Sequence, residues 1–273
     1  DELLKLIAET FLSSGDQIIV GKPTFSEYEF AALIMGAECI EVPLKEFTHD
    51  LPAMLAAITP KTKIIVICNP NNPTGTIVNR MQIKEFMDKL PPDILVVFDE
   101  AYYEYVESPE YSTGLEYLAQ GRNVIVLRTF SKIYGLAALR IGYGLTSTEI
   151  AQAVERVMEP FNVNSPAQIG AVAALQDQEH VKRSRELNKQ GKQYLYNEFK
   201  RMGLTYVPTE ANFIFMDTGV DGREVFNRLL KLGVIVRTGD IFGLPTFIRV
   251  TVGTAEENQR FTTSLEKVLK DLK

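Results

Sequence analysis

The chain has 273 residues, 45% of them hydrophobic, and its 29 basic and 35 acidic side chains leave a formal net charge of −6. That composition is ordinary for a globular protein and, with a sequence pI of about 5.2, excludes a disordered, collagen-like or broadly basic nucleic-acid-binding chain. Cys39 and Cys68 fit no metal or redox spacing and are too few for a disulfide framework, so reduced thiols in the cytoplasm are expected, and no apolar run nears the ~20 residues of a membrane span.

The first residues, Asp1-Glu2-Leu3-Leu4, open an amphipathic helical pattern without an initiator Met, and further residues are expected upstream. Short apolar runs then recur at Gln17 to Val20, Cys39 to Val42, Lys63 to Cys68, Ile94 to Phe98, Val124 to Leu127 and Ile141 to Leu145. Each reads as a strand buried on both faces. Helical spacing fills the intervals, as in Asn79 to Leu90, where Asn79 and Gln82 form a capping box. Alternating strand and helix predicts an α/β fold with a mostly parallel sheet flanked by helices.

After Met158 the pattern breaks at Pro160 and Pro166, and one long helix is predicted from about Ala167 toward Met202. Strand-like Ala211 to Met216, a helix Gly222 to Leu232, strands Val234 to Arg237 and Phe247 to Val252, and a final helix capped by Thr254 and Glu257 follow. The expected organisation is a large domain over residues 1–160 and a smaller C-terminal α+β domain over residues 161–273 that includes the long connecting helix.

In open parallel sheets ligands bind beyond the carboxyl ends of the strands, so the residues after each apolar run carry the chemistry. Lys63 to Cys68 leads into Asn69-Pro70-Asn71-Asn72-Pro73-Thr74-Gly75; Ile94 to Phe98 into Asp99-Glu100-Ala101-Tyr102; Val124 to Leu127 into Arg128-Thr129-Phe130-Ser131-Lys132. Singly, each has an ordinary explanation as a turn, a helix cap or a surface charge. Together, an amide, a carboxylate and an amine on one rim match the needs of pyridoxal phosphate chemistry: a lysine for the Schiff base and a carboxylate for the pyridine nitrogen. Glu100 reads as structural. His49 and His180 are too few for a histidine relay or a histidine-rich metal site, and no Walker loop or strand-linked GxGxxG occurs.

The blocks Asn69 to Gly75, Asp99 to Tyr103, Arg128 to Tyr143 and Phe247 to Thr254 resemble the fold type I, class I/II aminotransferases, and within them the histidinol-phosphate aminotransferase branch. The resemblance spans essentially the whole chain. It implies that Lys132 holds pyridoxal 5'-phosphate and then serves as the proton-moving base, and that Asp99 keeps the pyridine nitrogen protonated. It further implies that Asn72 and Tyr102 bond the ring oxygen and that Phe25 stacks on the ring face. Thr129, Ser131 and Arg140, with backbone amides near Asp1 and Glu2 at a helix start, are the implied phosphate anchors. Arg249 matches the clamp for the substrate carboxylate, and Arg237 is a candidate for an anionic end of the substrate. The implied reaction is ping-pong transfer of an amino group to 2-oxoglutarate by a homodimer, with histidinol phosphate as leading donor. An aromatic aminotransferase, a threonine-phosphate-type decarboxylase and a non-catalytic cofactor-binding remnant remain alternatives. A glycine and a serine before Asp1, and an arm covering the site, are also expected from the resemblance.

Overall fold

The computed structural model describes residues 1–272. The six early apolar runs form β1 (Gln17–Lys22), β2 (Glu38–Pro43), β3 (Thr62–Cys68), β4 (Leu95–Asp99), β5 (Val124–Thr129) and β6 (Gly142–Leu145), joined in the order β2-β1-β3-β4-β5-β6. The first five run parallel, and β6 closes one edge antiparallel to β5. The helix α1 (Glu2–Phe11) precedes β1, the helices α2 (Glu27–Ile34), α3 (Leu51–Ala56), α4 (Arg80–Lys89) and α5 (Leu115–Leu118) lie in the connections between the parallel strands, and α6 (Thr148–Glu155) follows β6. Leu4, Ile7 and Tyr28 from α1 and α2 cover one face of the sheet, over Ile18, Val66 and Val97. Met54, Phe86 and Met87 from α3 and α4 cover the other, over Ile65, Ile67 and Phe98.

Burial on both faces holds for β4 throughout and for β3 apart from Lys63, but not for the two outer strands. In β2 only Val42 is buried, and in β6 exposed and half-buried residues alternate. Both are edge strands, where one side lacks a neighbour, so their apolar side chains are only half covered. The capping box at Asn79 forms as expected: its Oδ1 accepts from Gln82 N at 2.9 Å, and Asn79 N donates to Gln82 Oε1 at 2.8 Å.

The predicted long helix is two helices, α7 (Ser165–Gln176) and α8 (Gln178–Arg201), because Asp177 leaves the helical conformation and caps the second with a bond from His180 N at 3.0 Å. Beyond them an antiparallel sheet forms from β7 (Thr205–Val207), β8 (Phe213–Asp217), β9 (Arg237–Thr238) and β10 (Phe247–Thr251), ordered β7-β8-β10-β9. The expected strand at Val234 to Arg237 shrinks to β9, with Ile235 left exposed. This sheet has its own apolar core with α8, α9 (Gly222–Lys231) and α10 (Ala255–Leu272), built around Phe199, Ile214, Leu229, Ile248 and Leu265. Thr254 and Glu257 cap α10 reciprocally. A further cluster, including Tyr102, Phe130, Ala171 and Phe213, joins the two sheets beneath the strand ends.

Candidate active site

Parallel pairing in register places Cys68 beside Asp99 and Asp99 beside Leu127, so the C-terminal ends of β3, β4 and β5 lie on one rim. Asp99 is the last residue of β4 and is buried. Its Oδ2 accepts from the Tyr28 hydroxyl at 2.6 Å and its Oδ1 from Ala101 N at 3.1 Å. Burial pushes its carboxyl upward, while these two donors and the nearby Lys132 charge pull it back.

One strand over, β5 ends at Thr129, whose Oγ1 accepts from Ser131 N at 3.0 Å and tightens the turn that presents Lys132. Burial, then the Arg249 charge, lowers the Lys132 ammonium below its ordinary range, with Asp99 opposing. Lys132 Nζ stands 5.4 Å from the centroid of the Tyr102 ring. Tyr102 itself is buried edge-on to Phe213, centroids 5.1 Å apart, and desolvation raises its hydroxyl. His180 Nε2 lies 2.9 Å from the Ile133 carbonyl and braces the backbone next to Lys132.

Asp99, Thr129, Ser131, Lys132 and Arg140 line one cavity of about 290 Å³, with Phe25 on its wall and Asp1 and Glu2 at its margin. Arg140 adopts left-handed backbone at φ 52° and turns its guanidinium onto both carboxylate oxygens of Asp1 at 3.0 Å, while Asn162 donates to Glu2. Arg140 therefore already holds an anion at the start of α1 through Nη2, its Nη1 being bonded to the Ala137 carbonyl, and that anion is the Asp1 side chain. A larger cleft of about 710 Å³ lies between Glu46–Thr48 and Thr205–Glu210. Its lysines, Lys189 and Lys192, are both paired with Glu107, and the reactive groups sit in the smaller cavity.

From the other sheet, β10 delivers Arg249, which donates to Asn72 Oδ1 and lies over the Phe213 ring at 4.9 Å. Asn72 belongs to a turn with cis bonds at Asn69-Pro70 and Asn72-Pro73. Thr24 and Pro23 fasten this turn through Asn71, with Thr24 Oγ1 donating to Asn71 Oδ1 at 2.7 Å. Gly75 at φ 72° closes it against Thr209, whose Oγ1 would lie 1.9 Å from an added Cβ. Arg237 pairs in register with Arg249 but is exposed, lining an adjoining pocket of about 230 Å³ that shares Phe25. Glu100 is consumed structurally: it is buried and accepts from Arg128, Thr113 and Gly114 N.

With that geometry in place, the comparison with known proteins is decisive. The sequence profile of the family "Aminotransferase class I and II" matches residues 1–265. The chain belongs to the class I/II aminotransferases. It is 58% identical to the histidinol-phosphate aminotransferase of Moorella thermoacetica over 98% of this chain and 70% of that one. The corresponding enzyme of Brevibacillus brevis is 49% identical over 98% of this chain and 74% of the relative. The crystal structure of histidinol-phosphate aminotransferase from Sinorhizobium meliloti in complex with pyridoxal-5'-phosphate superposes with a TM-score of 0.93 at 28% identity, covering 99% of this chain and 75% of that one. This aminotransferase is accordingly a pyridoxal-phosphate-dependent enzyme of the α/β fold expected from its strand pattern.

The donor set suits that cofactor. Asp99 is a buried carboxylate with no cationic partner in bonding contact among the described residues, as a protonated pyridine nitrogen requires, and Arg140 with the Thr129 and Ser131 hydroxyls presents an anion site on the same cavity. Sequence reasoning missed Tyr28 and His180. A signal for Tyr28 existed: it lies on the apolar face of α2 with Ala31 and Ala32, and a buried tyrosine hydroxyl needs a partner. His49, which the sequence places among polar neighbours, is buried against Gly21 with Nε2 3.1 Å from the Cys68 carbonyl, and burial lowers it to about 4. It is neutral and takes no part in a relay. Among the described residues no cluster of metal-ligating side chains forms, and no helix is long and apolar enough to cross a membrane.

Proposed function

We propose that this enzyme moves an amino group from L-histidinol phosphate to 2-oxoglutarate by a ping-pong cycle. The observation that carries the substrate assignment is the 58% identity to a histidinol-phosphate aminotransferase, supported by Arg249 and Arg237 facing each other in register near the cavity, a cationic pair suited to a phosphate-bearing substrate. Pyridoxal phosphate, when bound, supplies the electron sink that lets a Cα proton leave.

The residues of the chain divide the remaining work. Lys132 anchors the cofactor's aldehyde carbon and, once displaced, holds and returns the proton of Cα. Its lowered ammonium suits both duties, because the neutral amine is the base. Asp99, whose two donors work against the effect of burial, holds the pyridine nitrogen. Asn72 and Tyr102 are assigned as donors for the ring oxygen, and Phe25 as the cover of one face of the ring. Thr129, Ser131, Arg140 and the helix start at Asp1 and Glu2 take the cofactor phosphate, with the Asp1 carboxylate giving way at Arg140. Arg249, whose planar fork is already aimed at Asn72, clamps the anionic group of the substrate. The apolar cluster of Tyr102, Phe130 and Phe213 packs around the turn that carries Lys132, whose own side chain stays open to solvent until the cofactor covers it.

The working unit in this reading is a cytoplasmic homodimer. Exposed Phe30, Leu33 and Ile34 on α2 and a fully exposed Phe161 are apolar surface for a second copy to cover. The large and small domains are divided near residue 160, with the cofactor between them.

The test is a half-reaction. Pyridoxal phosphate is added to the protein, the visible band is recorded, and histidinol phosphate is added in the absence of oxo acid. The proposal expects a band that requires Lys132 and is bleached stoichiometrically by histidinol phosphate, without release of carbon dioxide. Bleaching by aromatic amino acids but not by histidinol phosphate would transfer the assignment to an aromatic aminotransferase, and carbon dioxide release would transfer it to a decarboxylase.

A further inference from the structure

Tyr28 stands on the buried face of α2, away from the cavity wall, and its hydroxyl donates to Asp99 Oδ2 at 2.6 Å with both groups out of solvent. Its ring meets Phe25 edge-on, with centroids 5.7 Å apart and planes at 83°. A single side chain thus touches both the carboxylate and the aromatic residue that face the cofactor in the reading above. Among the described residues Tyr28 is the only side-chain donor to Asp99, the second donor being Ala101 N at 3.1 Å. The backbone of the turn after β4 therefore fixes one oxygen of the carboxylate, and α2 fixes the other.

We propose that Tyr28 is a positioning residue for the reaction, orienting the Asp99 carboxylate toward the pyridine nitrogen through its hydroxyl and setting the tilt of Phe25 through its ring. The inference rests on the assignment of Asp99 and Phe25 to the cofactor. Its physical basis is that a carboxylate buried without donors takes up a proton, and a neutral Asp99 gives a protonated ring nitrogen no counter-charge. Burial drives Asp99 in that direction, and the Tyr28 hydroxyl acts against it. Tyr28 also belongs to the apolar layer over Ile18, Val66 and Val97, so a purely structural role is the competing account. The two accounts separate at the hydroxyl, because a phenylalanine keeps the ring and nearly all of the volume.

The experiment compares the wild-type chain with Tyr28→Phe and Tyr28→Leu. Three quantities are read: pyridoxal phosphate affinity by equilibrium dialysis, the 15N resonance of cofactor labelled at the pyridine nitrogen, and the denaturation midpoint. Loss of one charge-assisted hydrogen bond in Tyr28→Phe is expected to weaken cofactor binding about tenfold. It is also expected to move the 15N resonance toward that of the unprotonated ring, since an Asp99 with one donor fewer competes better for the shared proton. Tyr28→Leu, which also frees Phe25, is expected to bind still more weakly. Fluorotyrosine at position 28 fills nearly the same space and donates more strongly, so it displaces the resonance in the opposite sense even if Tyr28→Phe folds poorly. Affinity and resonance unchanged in Tyr28→Phe and in the fluorotyrosine protein, whatever their stability, overturn the inference. A wild-type resonance that Asp99→Asn leaves unmoved overturns the assignment of Asp99 itself, and the inference with it.

Discussion

Glu104→Gln is expected to stabilise this enzyme at neutral and alkaline pH and to have little effect near pH 4. Glu104 sits in the 3-10 turn Tyr103–Tyr105 directly after Tyr102, is 8% exposed, and its Oε1 has no hydrogen-bond partner among the described residues. Burial raises its carboxyl from 4.5 to about 7, with the Glu100 charge adding to the effect and Arg128 opposing it. An acid whose folded pKa lies above its unfolded one favours the fold while protonated and opposes it once ionised. The unfolded chain loses this proton near 4.5 and the folded chain only near 7, so stability falls between those values and stays reduced above them. The upper bound on the loss, at 1.36 kcal/mol per unit, is on the order of 3 kcal/mol. Urea denaturation of the wild type and Glu104→Gln at several pH values between 4 and 8 gives the difference directly, and titrations common to both chains cancel. The variant's advantage should grow across that range. Parallel pH profiles would show that folding leaves the Glu104 carboxyl unperturbed, a variant that loses ground as pH rises would show it ionised and paired in the fold, and either would refute the argument.

Other expectations follow from the site. Lys132→Ala should remove the visible band of the bound cofactor and reduce turnover by at least the 10²- to 10⁴-fold typical of a lost general base, with little change in thermal midpoint; a variant keeping band and turnover places the amine elsewhere. Asp99→Asn preserves an acceptor for Tyr28, so turnover should drop steeply while stability changes by less than about 1 kcal/mol; equal losses in both would mark a structural carboxylate. Arg249→Ala should raise KM for the amino donor and leave the cofactor spectrum intact, which titration of the half-reaction reads. Gly75→Ala should destabilise by 2 kcal/mol or more, on the order of other strained, overpacked positions, because it meets Thr209 and demands positive φ at once; a measured change below about 0.5 kcal/mol would show that the two segments separate freely.

Legibility followed local physics. Strands β3 and β4 could be read because inner parallel strands carry apolar residues without alternation, and Asp99 and Lys132 because they stand where such runs stop. The same rule overreached at β2 and β6, where identical apolar character serves an edge. The break at Asp177 was missed because the flanking residues keep helical propensity, and only the side chain's turn to cap α8 ends α7. β7, three residues long, carries too little pattern to register. Tyr28 was invisible as a site residue for a different reason: its partner lies 71 positions away, and only the register of β1, β3 and β4 under α2 brings them together.

The division of labour between the two sheets has a consequence for catalysis. Asp99 ends β4 and Lys132 stands in the turn just after the neighbouring β5, so strand pairing together with the Thr129–Ser131 turn bond sets where the two lie relative to each other. Arg249 comes from β10, and its distance to them depends on how the second sheet is seated. Three contacts seat it on one loop: the Arg249 bond to Asn72, the Gly75 closure on Thr209, and Glu210 N donating to Gly75 O at 2.8 Å. The loop Asn69–Gly75 is therefore both the support of Asn72 and the seat of the second sheet, and its prolines and paired amides restrict its freedom in both roles. Under the proposed role of Arg249, a substrate anion that competes with Asn72 for its guanidinium would loosen one of the three contacts. If Arg249 is the substrate clamp proposed above, substrate recognition and the seating of the second sheet meet at this single short turn, whereas Asp99 and the turn that carries Lys132 are held by the pairing of β4 and β5.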